Sequence, residues 1–287
     1  MNLGPLELMV LVATAAIGAA LLYWALAVPE RFVDAWARNA GLAPAPQTLR
    51  RIRRYLLWSR RCRLAGGLTG FVLAMTLGPT PSESLVPAMA AFAGYLVGAL
   101  AAELVVNRPQ GPAGAAAVSP RDVDDYLPRY VRTVLYGVAL AFVAGEALYA
   151  LALHRLLSPD AQARIPEASG GRFIVTLLST AFLVAVTEAL VRLIIGRRQP
   201  AASASDVAVD DAIRASSVRA VAAAGLSLLL LGVAGEAMAF ADIDGPVGSV
   251  LALIAIAALV GSIAAWFFIA RTFGPLVTRS NVGADVL

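Results

Sequence analysis

Long apolar blocks separated by charged connections dominate the chain, and most of them approach the roughly 20 residues a helix needs to cross a bilayer. Seven blocks fit: Leu8 to Val28, Leu64 to Pro79, Leu85 to Val106, Val131 to Leu153, Phe173 to Ile195, Val218 to Ala241 and Val247 to Ala270. The second holds only 16 residues, so a tilted or re-entrant segment, and with it a six-span chain, is the alternative. The pattern predicts an all-α polytopic transmembrane bundle. Its parts are a first helix with a basic interfacial helix (1–63), a short second span (64–84), two hairpins (85–171 and 172–246), and a last span with its tail (247–287). The first block carries Glu7 and no Arg ahead of it, unlike the positive leader of a secretory signal, so it reads as a retained helix.

The two hairpins look like copies. VAGEA occurs at 143–147 and again at 233–237, after loops that each place Arg and a Gln/Pro pair, then Ser, then Asp-Asp, then Arg. AAELV around Glu103 and TEALV around Glu188 extend the likeness upstream, with a different offset. Both copies would enter the membrane from the same side, which makes the repeat parallel rather than inverted. It predicts a core of four helices, spans three to six, with spans one, two and seven around it.

Composition supports the bilayer as solvent. Hydrophobic residues make up 59% of the chain and charged residues 15%, with a mean hydropathy of +0.76, well short of the roughly one-quarter charged residues of soluble domains. Every basic residue is Arg, and 17 of the 23 fall in alternate connections: 29–63, 107–130, 196–217 and 271–287. The opposite loops hold Arg155, Arg164 and Arg172. The positive-inside rule then sets the N-terminus outside and the C-terminus in the cytoplasm. The same rule explains the charge of +4 without nucleic acid as a partner.

Four carboxylates fall inside the repeated spans: Glu103 and Glu188 toward the cytoplasmic ends, Glu146 and Glu236 toward the outer third. Such groups are costly in lipid and mark an ion path, a substrate site or a structural pair with another polar group. Arg132, Arg192 and Arg219 are the candidate partners for the structural option. Gly145 and Gly235, each preceding an outer Glu, are expected to admit a neighbouring helix. The pairs Gly66/Gly70 and Gly94/Gly98 also have the spacing for close packing.

The cytoplasmic loops offer a second kind of site. Ser119-Pro120 has the form of a helix start, and Asp125 to Arg129 and Asp210 to Arg214 are spaced four apart, as on one face of a short helix. With Asp124 and Asp211 they form candidate surfaces for docking a cytosolic ATPase or another membrane subunit. In residues 47–63, Leu49, Ile52 and Leu56 alternate with Arg50, Arg51, Arg53 and Arg54, and Tyr55 and Trp58 follow. That is the composition of an amphipathic helix lying on an anionic leaflet.

Enzyme chemistry has no foothold in the motifs. There is no phosphate loop, no HExxH, no Gly-x-Ser-x-Gly, and His154 is the single histidine. No catalytic residue, metal ligand or cofactor is expected. Cys62 is the single cysteine, which excludes an internal disulfide; its neighbours Arg60, Arg61 and Arg63 would favour a thiolate if it were exposed.

The stretch from Arg197 to Arg219, RRQP followed by DDAIR, resembles uncharacterised multi-pass integral membrane proteins of high-GC actinobacteria. The resemblance covers that loop and span six, and it implies a bacterial plasma membrane but no activity. The function expected is the membrane-spanning component of a transport system, an ABC-type permease served by a separate ATPase being one form. A structural or regulatory scaffold, and an autonomous proton- or cation-coupled transporter using the Glu residues, are the alternatives. The partners expected are the lipid bilayer and those subunits, with a second copy of the chain as a further option.

Overall fold

The structure, a computed structural model, describes residues 23, 26–43, 45–77, 86–106, 122–156, 170–197, 204–239 and 246–270. The described residues are helical, without strands: α1 (Glu30–Asn39), α2 (Pro46–Leu77), α3 (Val86–Val106), a 3-10 turn (Val123–Asp125), α4 (Arg129–Leu156), α5 (Gly170–Gly196), α6 (Ala204–Ala239) and α7 (Pro246–Ala270). Among the described residues, four stretches are long and apolar enough to cross a membrane: Arg129–Leu148, Phe173–Gly196, Val207–Met238 and Gly248–Ala270. In α3 the apolar stretch Ala90–Glu103 is shorter. Most of the expected first span, the loop at 107–121 with Ser119-Pro120, the outer loop from 157 to 169 and the tail from 271 lie outside the described residues.

The chain divides into two compact units, one of residues 1–117 and 198–213, the other of 118–197 and 214–287. In the first, a helix stands where a connection was expected. α1 places Val33, Trp36 and Ala37 on one buried face at helical spacing. It ends on Gly41, whose φ of +70° suits a residue without a Cβ. The Gly41 amide donates to Arg38 O (3.0 Å) and the Leu42 amide to Ala37 O (2.9 Å), the paired bonds of a Schellman stop. The apolar face then packs with Val28, Ala40, Ile52, Tyr55, Val209, Ala212 and Ile213.

α2 joins two stretches read separately, the basic segment and the short second span, in one 32-residue helix. Leu49, Ile52 and Leu56 turn into the protein core beside α1, so the apolar stripe of the basic segment is internal and does not lie in lipid. α1 supplies the apolar partner that the membrane was expected to supply. Further along, α2 and α3 run antiparallel with backbones nearly touching: a Cβ on Gly66 would overlap Gly94 O, one on Gly70 would overlap Ala90 O, and one on Gly98 would overlap Cys62 O. Without side chains at these positions, dispersion between the two backbones is available along two turns.

In the second unit, α4 to α7 share a core. Leu135 of α4 and Leu226 and Leu229 of α6 are buried, with Leu183 and Val184 of α5 and Ala265 and Ile269 of α7 against them. α6 is the central helix: 72% of its most apolar window is buried, against 17–28% for the other three spans. Those three instead expose Leu140, Phe182, Leu253 and Phe268 among other large apolar residues, a surface suited to lipid and not to water. The helices sharing this core are thus the expected spans four to seven. α3, the start of the first expected hairpin, packs with α2 in the other unit. Its glycines match those of α2, and that surface match directs the pairing.

Candidate functional site

The polar groups of the second unit converge where the first turns of α4 meet the last turns of α5. Arg132 Nε donates to Glu188 Oε1 at 3.4 Å, and the Tyr136 hydroxyl, one turn further along α4, donates to the same oxygen. Arg192, one turn beyond Glu188 on α5, holds Oε2 at 3.7 Å. One carboxylate therefore faces two guanidiniums and a phenol on two helices, which joins the helices. The network continues outward: Arg132 Nη1 lies 3.9 Å from Asp124 Oδ1, and Arg129 Nε donates to Asp124 Oδ2 at 2.6 Å.

The turn bearing Asp124 is built locally. Asp122 accepts from the Asp124 amide, and Asp125 accepts from the Asp122 amide at 3.2 Å. This reciprocal cap satisfies the turn's donors. The expected Asp125–Arg129 helix pair is replaced by Asp124–Arg129, because the turn ends before Pro128 and no helical register connects 125 with 129. Arg219 of α6 fixes the far side of the turn by donating from Nε to Tyr126 O at 3.3 Å.

The second docking loop is helix. Residues 204–218 are the first turns of α6, continuous with the span, in an Ala-rich stretch without Pro or Gly. Arg214, 0% exposed, donates from Nη1 to Ile194 O (3.1 Å), Ile195 O (2.6 Å) and Arg197 O (2.9 Å). A helix end leaves carbonyls without intrahelical partners and carries partial negative charge, so this guanidinium is a C-cap for α5. Asp210 is buried as well and pairs with Arg51 at 3.2 Å. Asp211 is half-buried. Of the surface residues expected on α2, Arg50, Arg53, Arg54 and Trp58 are exposed, and Arg51 is drawn to Asp210.

The other carboxylates have different settings. Glu103, 2% exposed, accepts from the Tyr55 hydroxyl at 3.1 Å across the α2–α3 contact. Glu146 is buried and Glu236 half-buried, both within the apolar spans of the second unit. Gly145 has open space where a Cβ would be, so it does not mark the expected close helix approach. Cys62 departs from the thiolate expectation: burial raises its pKa, Glu103 raises it further, and Arg63 offsets them only in part. Neighbours in sequence do not decide the matter, because α2 turns the thiol toward α3 and its carboxylate.

Several contributors were not singled out from sequence. Tyr55, read only as an aromatic near the interface, and Tyr136, not read at all, each bond a carboxylate on the partner helix. Ser227 and Ser262 exchange hydroxyl-to-carbonyl bonds between α6 and α7, at 2.8 and 2.7 Å. The usable signal is a lone hydroxyl in an otherwise apolar span, which must find an acceptor.

Fold and polar sites together define a helical protein with several membrane-compatible spans. No family model matches the chain, and neither a curated protein nor a solved structure does.

Proposed function

We propose that the chain is a structural or regulatory membrane scaffold, a subunit whose buried charges hold helices in fixed register. The observation carrying this reading is Glu188, held by Arg132, Tyr136 and Arg192. A transported ion or proton would have to displace two guanidiniums to reach it. The Arg214 cap of α5 and the Tyr55–Glu103 bond support the same use of polarity. In this reading the chain sits in a bacterial plasma membrane with its N-terminus outside, supported by the distribution of Arg over alternate connections. The exposed Leu68, Phe71, Val72 and Met75 of α2 support a crossing by the short second span, and with it a seven-span count.

A transport component is the second reading. Glu146 and Glu236, in the recurring VAGEA motifs and away from the Glu188 cluster, favour it. Docking of an ATPase would fall to the turn of Asp124, Asp125 and Arg129, because burial of Asp210 and Arg214 removes the second expected surface.

Reconstitution of wild type and of the Glu146→Gln/Glu236→Gln variant in liposomes separates the readings. The scaffold reading expects no proton or cation flux above protein-free vesicles from either protein, and a lower thermal midpoint for the variant. Flux by wild type that disappears in a variant of unchanged midpoint would replace it with autonomous transport.

A further inference from the structure

One face of α2 carries two chemistries in sequence. At 100° per residue, Arg50, Arg53, Arg54, Arg61, Leu68, Phe71, Val72 and Met75 fall in a strip roughly 100° wide. All eight are exposed. The exposed residues of the strip are arginine up to position 61 and apolar from 68 onward, with half-buried Leu57 and Leu64 also within it. The opposite face is occupied by internal contacts, with Ile52 and Tyr55 in the core beside α1 and Gly66 and Gly70 against α3.

We propose that this strip binds anionic phospholipid, with acyl chains along Leu68, Phe71, Val72 and Met75, a phosphate on Arg61, and the negative surface of the leaflet drawn by Arg53 and Arg50. A helix face that changes once from exposed charge to exposed hydrocarbon matches the profile of a leaflet. The distance from Arg61 to Leu68 along the axis is about 10 Å, the depth from phosphate to upper chain. From Arg50 to Arg61 it is about 16 Å, so Arg61 meets the phosphate level while Arg53 and Arg50, further out, act through the surface potential of the leaflet. Charge selects the lipid class. The connection 29–63 holds nine Arg against Glu30 and Asp34. Arg51 is turned to Asp210, and Arg60 is buried, donating to Ala27 O with its guanidinium over Phe32. Arg50, Arg53 and Arg61 are exposed. A zwitterionic headgroup would bring its own cation against them, whereas phosphatidylglycerol brings none. The contact differs from that of an amphipathic helix lying flat, since the apolar residues interleaved with these arginines face the protein.

The experiment is native mass spectrometry of the full chain exchanged into micelles with equal phosphatidylglycerol and phosphatidylcholine, for wild type, Arg50→Ala/Arg53→Ala/Arg61→Ala, and the same three positions changed to Lys. Wild type retains phosphatidylglycerol preferentially, and added salt weakens the preference. The alanine variant loses it by on the order of tenfold or more, given a contribution near fivefold per basic residue at an anionic surface. The lysine variant keeps most of it. Equal retention of the two lipids by wild type, or an undiminished preference in a folded alanine variant, overturns the proposal. If the alanine variant does not yield folded protein, wild type decides alone: a preference insensitive to salt overturns the proposal, and one that falls with salt upholds it.

Discussion

The two units solve the same problem by different means. Helices in lipid gain little from hydrophobic association, since chains of lipid are as apolar as leucine, and must be joined by packing or by polar bonds. In the first unit α2 and α3 are joined by the absence of side chains, with Gly66, Gly70, Gly94 and Gly98 letting backbones meet. In the second, α4 and α5 are joined by side chains that bond: Arg132 and Tyr136 to Glu188, Arg214 to the end of α5. The first joint tolerates no added atom. The second tolerates no removed one.

Substitutions of opposite kind therefore break the two joints. Arg214→Met is expected to have the largest effect, a loss of about 3 kcal/mol or more, because three carbonyls at the end of α5 lose a charged donor; the readout is the unfolding midpoint in mild detergent. Gly66→Leu should follow at up to about 3 kcal/mol through overpacking against Gly94 O, measured in the same way, while Ala at the open Gly145 leaves the midpoint close to wild type. Ser227→Ala removes one of the exchanged α6–α7 bonds and is expected to cost about 0.6 kcal/mol, the average for hydrogen bonds between membrane helices. Smallest in energy is the effect at Cys62. Its raised pKa means the folded state favours the neutral thiol, so this contribution is full below the ordinary thiol pKa and is lost as pH rises through the raised one. Alkylation of the folded protein should accordingly stay slower than that of a free cysteine at pH 8 and recover on denaturation.

The spans themselves were legible because length and apolarity are local properties. α4, α5 and α7 lie within a few residues of their expected bounds, and the glycine pairs of α2 and α3 had the spacing for close packing, though not the identity of the helix each would meet. What sequence concealed was the direction of each polar side chain. The i, i+4 register of Asp210 and Arg214 did not reveal that one also reaches Arg51 and the other the end of α5, contacts set by tertiary neighbours. α1 was hidden for another reason. Its ten residues are too few for a span and its charges suggested a connection, although Val33, Trp36 and Ala37 with Gly41 beyond them spell a short amphipathic helix and its stop. Pairing of the repeat motifs likewise says nothing of which helices share a core.

A double-mutant cycle between Arg132 and Glu188, using Arg132→Met, Glu188→Gln and both together, tests most directly whether the intramembrane charges are joints. Unfolding free energies in mild detergent should show a favourable coupling of about 1 kcal/mol, within the range for polar contacts between membrane helices, with each single change destabilising. Additive effects with no coupling, or a Glu188→Gln variant as stable as wild type, would contradict the account and return Glu188 to the candidates for transport.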